Sequence, residues 1–426
     1  MISGKAYAAD RNRVTQKATV KSNNNLRDQK NVRRLTSLTD TLRSEGLFWV
    51  LRRMRHRTPF TAPGRALHAN LRWCVGMILF IPRAIKRLSE STRLMKRHDV
   101  LYAFYDLQVA PITYDASWFA AAADLKRRQM GLSRIHFVII PGGKDGFREE
   151  RTAYESTVDS ATRLWRLHNI VIPILTLVPA FGGLTLLPYR SEVGSFRAVA
   201  ENRLYPEHYE PSLPVSHLPV ELLSLPVNDA ERIGTLRAPL QARRYIDRWV
   251  AQRLSGRKLI TITVRDYLFM PARNSNVDAW AAFAKRLDSA EYFPVFVLDT
   301  ERTLDPLPDA LLGVEILREA SWNVWLRMAL YETSYLNLGV NNGPLFMCML
   351  NALTRVLIFK ILTPSVPQTT DELMSKLGFT IGGQVPFATP FQQLVWEDDA
   401  LETIERQFYS LAAKIEGATP GDHRGE

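Results

Sequence analysis

Stretches of strand and helix character alternate along this chain twice over, with a proline-dense break between the two series. In the first series, residues 100–105 are apolar and aromatic and end at Asp106. Residues 117–130 then carry Trp118, Phe119, Ala122, Leu125 and Met130 at near-helical spacing and stop at Gly131. Residues 136–140 read as a second strand closed by Pro141-Gly142-Gly143, residues 149–167 as a second helix, and the β-branched residues 170–178 as a third strand. From 205 to 228 the regularity fails, because Pro206, Pro211, Pro214, Pro219 and Pro226 fit neither a helix interior nor a central strand. The second series opens with an Arg-rich helix over 236–254. Strands follow at 258–264, 293–298, 335–338 and 355–359, and helices at 277–287, from a Ser321 cap to Tyr331, and at 344–353. Thr369-Thr370-Asp371-Glu372 has capping-box spacing before a short helix, and Leu401, Ile404, Phe408, Leu411 and Ile415 mark a final amphipathic helix. Alternation of this kind predicts α/β folding with parallel sheets covered by helices. Two such series predict two Rossmann-like domains, whose natural site is the crevice at the carboxyl ends of the strands.

Charge separates a third region. Residues 1–100 hold 22 Lys and Arg against 6 Asp and Glu, the rest 33 against 37, so a +16 arm precedes a body of charge −4 within a net +12. A nucleic-acid-binding body is excluded on that count, since it would carry the positive charge itself. Residues 1–46 are polar and basic without the apolar core of a signal peptide, and read as a disordered arm. Residues 73–81 form an apolar run too short to span a bilayer, followed by Arg83, Lys86, Arg87, Arg93, Lys96 and Arg97. Two readings are open: a helix lying on an anionic membrane surface, or a basic helix packed on the body. The expected organisation is a basic extension over 1–97, domains over 98–228 and 229–416, and a disordered tail over 417–426. Cys74 and Cys348 cannot make a disulfide framework.

Walker A, G-x-G-x-x-G, G-x-S-x-G and H-E-x-x-H patterns are all lacking, which removes support for ATP hydrolysis, ordinary dinucleotide binding and serine hydrolysis. The sharpest motif is Asn337-Leu338-Gly339-Val340-Asn341-Asn342-Gly343-Pro344, a strand entering a polar turn before a helix with Pro at its first position. It predicts a diphosphate cradle from Asn341, Asn342, Gly343 and the helix mouth at Pro344, or else an ordinary βα turn. Arg265-Asp266 ends a strand, and Arg273-Asn274-Ser275-Asn276 opens the next helix, a placement suited to phosphate. Ser275 or Asn276 could equally be an N-cap. Asp299-Thr300-Glu301 is an acidic strand-end turn suited to sugar hydroxyls.

Arg273-Asn274-Ser275-Asn276, Trp280, Phe283, Asp299-Thr300-Glu301 and the segment from Asn337 to Pro344 resemble a family of bacterial glycosyltransferases associated with surface-polysaccharide loci. More distantly, Asn341-Asn342-Gly343-Pro344 is similar to the (D/N)-S-G-P element of the lipopolysaccharide heptosyltransferases, with Asn in place of the usual Asp and of the Ser. The resemblance implies a two-Rossmann, GT-B glycosyltransferase. It would bind a nucleotide-sugar donor through Arg265, Arg273, Asn274, Ser275, Asp299, Glu301, Asn341, Asn342, Gly343 and Pro344, and act on a glycan or lipid-linked acceptor. No metal site, cofactor or nucleic-acid partner is expected; no D-x-D stands at a strand end, and Asp398-Asp399 reads as the acidic first turn of the last helix. The expected location is cytoplasmic, peripheral on the inner face of the plasma membrane. An acceptor hydroxyl needs a base from the first domain. Asp106, ending the first strand, is favoured, and Asp115 is the other candidate, set against an N-cap role. His136, inside a strand, reads as a core histidine. A non-catalytic sugar or nucleotide binder and a membrane-surface scaffold are the competing readings.

Overall fold

The computed structural model describes residues 99–150, 152–215, 219–225 and 233–418. The readings of the basic arm, the 73–81 run and the tail beyond 418 lie outside the described residues. All described residues belong to one compact unit that begins at Arg97.

Two parallel sheets organise that unit. The first contains β1 (Val100–Asp106), β2 (Arg134–Ile140), β3 (Phe181–Leu186) and β4 (Leu204–Tyr205) in the order β3-β2-β1-β4. Every residue of β1 is buried, as a strand covered on both faces requires. Leu101, Ala103 and Tyr105 face α1 (Ala116–Gln129) and its Trp118 and Phe119. Val100, Tyr102 and Phe104 face the other way, towards Val193 and Ala200. The second sheet contains β5 (Lys258–Thr263), β6 (Tyr292–Val297), β7 (Glu315–Ile316), β8 (Leu336–Val340), β9 (Val356–Phe359) and β10 (Gln392–Leu394) in the order β10-β9-β8-β5-β6-β7. Connections run outward one way from β5 and the other way from β8, the doubly wound arrangement whose switch point lies between those strands. Gly339 lets them approach: a Cβ there would stand 2.4 Å from the Thr263 carbonyl oxygen.

The two expected Rossmann-like lobes are therefore present, with local departures. Residues 170–178 form no strand. Helix α2 (Ser160–Arg166), capped by Asp159, passes through a wide turn at Leu167–Val171 into α3 (Ile172–Leu175). Ile170, Val171, Ile174, Leu175 and Val178 are all buried, and their spacing is helical despite the β-branched composition. The third strand is β3, which two glycines conceal from strand propensity. They are needed there, because a Cβ on Gly183 would stand 2.7 Å from His136 Nδ1 and one on Gly182 would stand 2.9 Å from Arg134 Cβ. His136 is partly buried against Thr185, 2.9 Å from its Nε2, and burial lowers its pKa.

Further along, α4 (Leu240–Arg253) precedes β5 and α5 (Val277–Arg286) follows it. Ser321 does not cap the helix after it. Its hydroxyl accepts from Leu298 N, and Asn323 caps α6 (Val324–Thr333) by accepting from Trp325 N and Leu326 N. After β8 come α7 (Gly343–Met349), α8 (Asp371–Lys376) and α9 (Leu401–Gly417). Asp399 is not an exposed first-turn acid. It is 2% exposed and accepts from Asn276 N and Trp280 Nε1, tying the start of α9 to α5.

The lobes share one core. Trp118 of α1 lies 5.6 Å from Phe346 of α7, and Trp325 of α6 donates to Thr176 Oγ1 at 2.9 Å. The residues leading into α4, which begins at Leu240 rather than 236, are bonded to both lobes, Arg237 N to Leu177 O and Leu236 N to Leu350 O. Among the described residues no helix is long and apolar enough to cross a membrane.

Candidate functional site

Between the lobes lies a cleft of about 1080 Å³, lined by the carboxyl ends of β5, β6 and β8 on one side and by the β1–α1 loop, α1 and α2 on the other. Its floor is the switch point. The segment after β5 brings Arg265 there and the segment after β8 brings Asn341, Asn342, Gly343 and Pro344.

Arg265 is 7% exposed and bound to its own loop, through the Phe269 and Met270 carbonyls and the Asn274 side chain. Burial lowers its pKa, against the pull of Asp299. Asn274 and Ser275 serve the same loop and do not line the cleft. The Asn274 amide bridges Tyr267 N and O, and Ser275 Oγ accepts from Arg265 N. Asn276, not Ser275, caps α5. These two expected donor contacts are therefore loop supports, which polar spacing alone could not distinguish.

Arg273 is different. It lines the cleft, donates from one terminal nitrogen to Asn341 O at 3.2 Å, and keeps a buried Nε with no hydrogen-bond partner among the described residues. Burial, and then the charge of Arg265, push its pKa down to about 10, with Asp115 across the cleft acting the other way. A half-buried guanidinium beside a second one, with a buried and unspent Nε–H, favours an anion in the cleft.

The helix mouth contributes less than expected. Asn342 Oδ1 accepts from Leu345 N as the cap of α7, Pro344 has no N–H, and Asn341 Nδ2 donates to Ile361 O. Nor does Gly343 open onto an anion. A Cβ there would lie 2.5 Å from Tyr114 Cβ, so this glycine admits the other lobe. Gly343→Val is accordingly expected to lower the melting temperature by several degrees through that clash, as read by differential scanning fluorimetry. An unchanged melting temperature with lost anion affinity would restore the cradle reading.

Asp299, Thr300 and Glu301 do line the cleft. Asp299 accepts from Glu301 N and Asp266 N, and burial raises its pKa. Glu301 is paired with Arg166 of the first lobe, which also donates to Tyr267 OH at 3.1 Å. The sequence reading missed Arg166, Arg148 and Tyr154, which lie in or beside helices with no motif to mark them. It also missed Arg327. That residue is 1% exposed, binds the carbonyls of Leu298, Ala320 and Ser321, and sits 5.8 Å from the Tyr114 ring.

The two first-lobe carboxylates exchange roles. Asp106 does not line the cleft; it is 2% exposed and gripped by Arg190 at 2.6 and 2.9 Å, by Tyr209 OH at 2.5 Å and by Gln108 N at 2.9 Å. The expectation that it faces the crevice is thus corrected, because the end of β1 turns its carboxylate into a buried ion pair. Asp115 is exposed and lines the cleft. It stands at the N-cap position of α1 yet makes no side-chain cap bond, accepting only from Thr113 OH at 2.8 Å. Among the described residues no group of three or more His, Cys, Asp or Glu could hold a metal.

No protein-family model matches the chain, and no curated protein matches it. Solved structures similar to it include a glycosyl transferase of family 9 from Veillonella parvula, at 10% identity and TM-score 0.44 over 77% of this chain and 92% of that one. Another is the E. coli ADP-heptose lps heptosyltransferase II, at 10% identity and TM-score 0.42 over 75% of this chain and 100% of that one. The wall teichoic acid polymerase TagF is similar at 9% identity and TM-score 0.27, over 84% and 93%.

Proposed function

We propose that the chain is a GT-B-type glycosyltransferase that moves a sugar from a nucleotide-sugar donor to a glycan or lipid-linked acceptor. The observation that carries this is Arg273, a half-buried cation with a buried, unspent Nε–H at the switch point of the second sheet, facing the exposed Asp115 carboxylate from the other lobe. The donor diphosphate lies against Arg273, with the Arg265 charge behind it and the Asp299–Glu301 turn beside the ribose or sugar hydroxyls. The acceptor hydroxyl attacks the anomeric carbon and gives its proton to Asp115. The bond from that carbon to the diphosphate oxygen breaks, and its electron pair leaves on the diphosphate, where the two guanidinium groups stabilise the charge.

Binding of UDP, GDP, ADP, CMP and dTDP compounds to the full chain by thermal shift tests the reading. A ligand at 100 times its Kd adds about 2.7 kcal/mol. One nucleotide is expected to bind, its sugar conjugate to be slowly hydrolysed, and Arg273→Ala to remove both effects. Binding without release of nucleoside diphosphate would leave a nucleotide-binding protein without catalysis. We further propose that residues 73–97 bring the chain to an anionic cytoplasmic membrane surface, on the strength of the apolar run and its six following cations. Reversing Arg83, Lys86 and Arg87 to Glu in the full chain is expected to abolish co-sedimentation with phosphatidylserine-containing vesicles in low salt; unchanged sedimentation would dismiss this role.

A further inference from the structure

Tyr114 crosses the cleft. It belongs to the β1–α1 loop of the first lobe, where its carbonyl accepts from Ser117 N at 2.9 Å as α1 begins. Its side chain leaves that lobe and lies against the second. A Cβ on Gly343 would stand 2.5, 3.2 and 3.5 Å from its Cβ, Cγ and Cδ2, so the tyrosine rests on bare backbone at the mouth of α7. Beyond that contact the ring lies 5.8 Å from Arg327 Cζ. Arg327 is itself fixed by the carbonyls of Leu298, Ala320 and Ser321, and it offers its charge to the π face.

The turn that receives Tyr114 also holds Arg273, through the bond from that guanidinium to Asn341 O at 3.2 Å. The cation on the donor side and the foothold of the first lobe are thus two residues apart on one short turn. Asp115 follows Tyr114 directly and is exposed, and its carboxylate accepts only from the Thr113 hydroxyl, at 2.8 Å. That bond stays within three residues of one loop and cannot fix the carboxylate relative to the opposite lobe. A ring lodged in the opposite lobe can. We infer that Tyr114 is a positioning residue, which sets Asp115 against the site at Arg273 so that the carboxylate meets the proton of the attacking oxygen. This rests on the glycosyl-transfer reading and adds the residue that aligns its base.

Release of nucleoside diphosphate from UDP-glucose, GDP-mannose, ADP-glucose and dTDP-glucose by the full chain, with water as the acceptor, tests this. On the donor that is hydrolysed, Tyr114→Ala is expected to lower kcat about 10–100-fold, the cost of a misplaced reacting group, while donor Kd from calorimetry hardly moves. Tyr114→Phe keeps the ring over Arg327 and against Gly343 and recovers most of kcat. Tyr114→Leu fills the space without a π face, behaves as Ala, and replaces it if the Ala variant does not purify folded. In an Asp115→Asn background, Tyr114→Ala costs nothing further, because a residue that acts through the carboxylate has nothing left to align. Losses that multiply in the double variant, or a Kd that rises in step with the fall in kcat, would leave a ring that only joins the lobes and overturn the assignment alone. So would an unchanged kcat in Tyr114→Ala beside a slowed Asp115→Asn. Hydrolysis of none of the four donors overturns it together with the glycosyl-transfer reading.

Discussion

Asp115→Asn is expected to slow sugar transfer by about 10²–10⁴, the usual worth of general-base assistance, while donor affinity stays within a factor of two or three. The carboxylate is exposed in the cleft and makes one local bond, from the Thr113 hydroxyl, which an Asn oxygen can also accept. It caps nothing, so the amide costs α1 no stability. What the substitution removes is the basic lone pair, together with the negative charge that Arg273 feels across the cleft. Loss of that charge leaves Arg273 facing less opposing charge, which favours an anionic donor slightly. Turnover and Kd are therefore expected to move apart, turnover down and Kd level or lower. Initial rates at saturating donor, with Kd from calorimetry, check this. Equal rates for Asn and Asp would place proton transfer elsewhere.

The fold was legible in the sequence wherever burial pattern and propensity agree. Strands such as β1 and β5 are buried along nearly their whole length because helices cover both faces, and α9 shows its core stripe through Leu401, Ile404, Phe408, Leu411 and Ile415. Where the two signals diverge, composition misleads. Residues 170–178 are β-branched but helical in spacing, and β3 is a strand carrying Gly182-Gly183 because β2 side chains occupy the space where Cβ atoms would stand. The site was legible at the level of segments and not of side chains. Arg265, Arg273, Asp299, Asn341 and Gly343 do converge on one cleft, as strand-end positions in a doubly wound fold must. Which of them remains open to a ligand depends on hydrogen bonds to residues far along the chain. Asp106 meets Arg190, 84 residues on, and Gly343 meets Tyr114 from the other lobe. Linear spacing records neither.

Asp106→Ala is expected to destabilise the protein by about 3 kcal/mol, the low end of the cost of removing one partner from a buried ion pair, because Asp106 is buried while Arg190 keeps a quarter of its side chain exposed. The carboxylate accepts two bonds from Arg190, which also donates to the Pro141 and Pro211 carbonyls. One guanidinium thus joins the ends of β1 and β2 to the loop after β4. The hydrogen bond from Arg190 to Asp106 is the main cause of the raised Arg190 pKa; a guanidinium stays charged without it, so the charge has no neutral form to fall back on when its partner is gone. Tyr209, stacked on Phe104 at 4.9 Å, loses the acceptor of its buried hydroxyl at the same time. Asp106→Asn keeps one acceptor and is expected to lose roughly half as much. Urea unfolding midpoints followed by tryptophan fluorescence measure both. At temperatures where each variant stays folded, nucleotide affinity and turnover are expected to match wild type, since the carboxylate lies outside the cleft. A variant with the wild-type midpoint but turnover reduced 100-fold or more would reverse the assignment and make Asp106, not Asp115, the group that takes the acceptor proton.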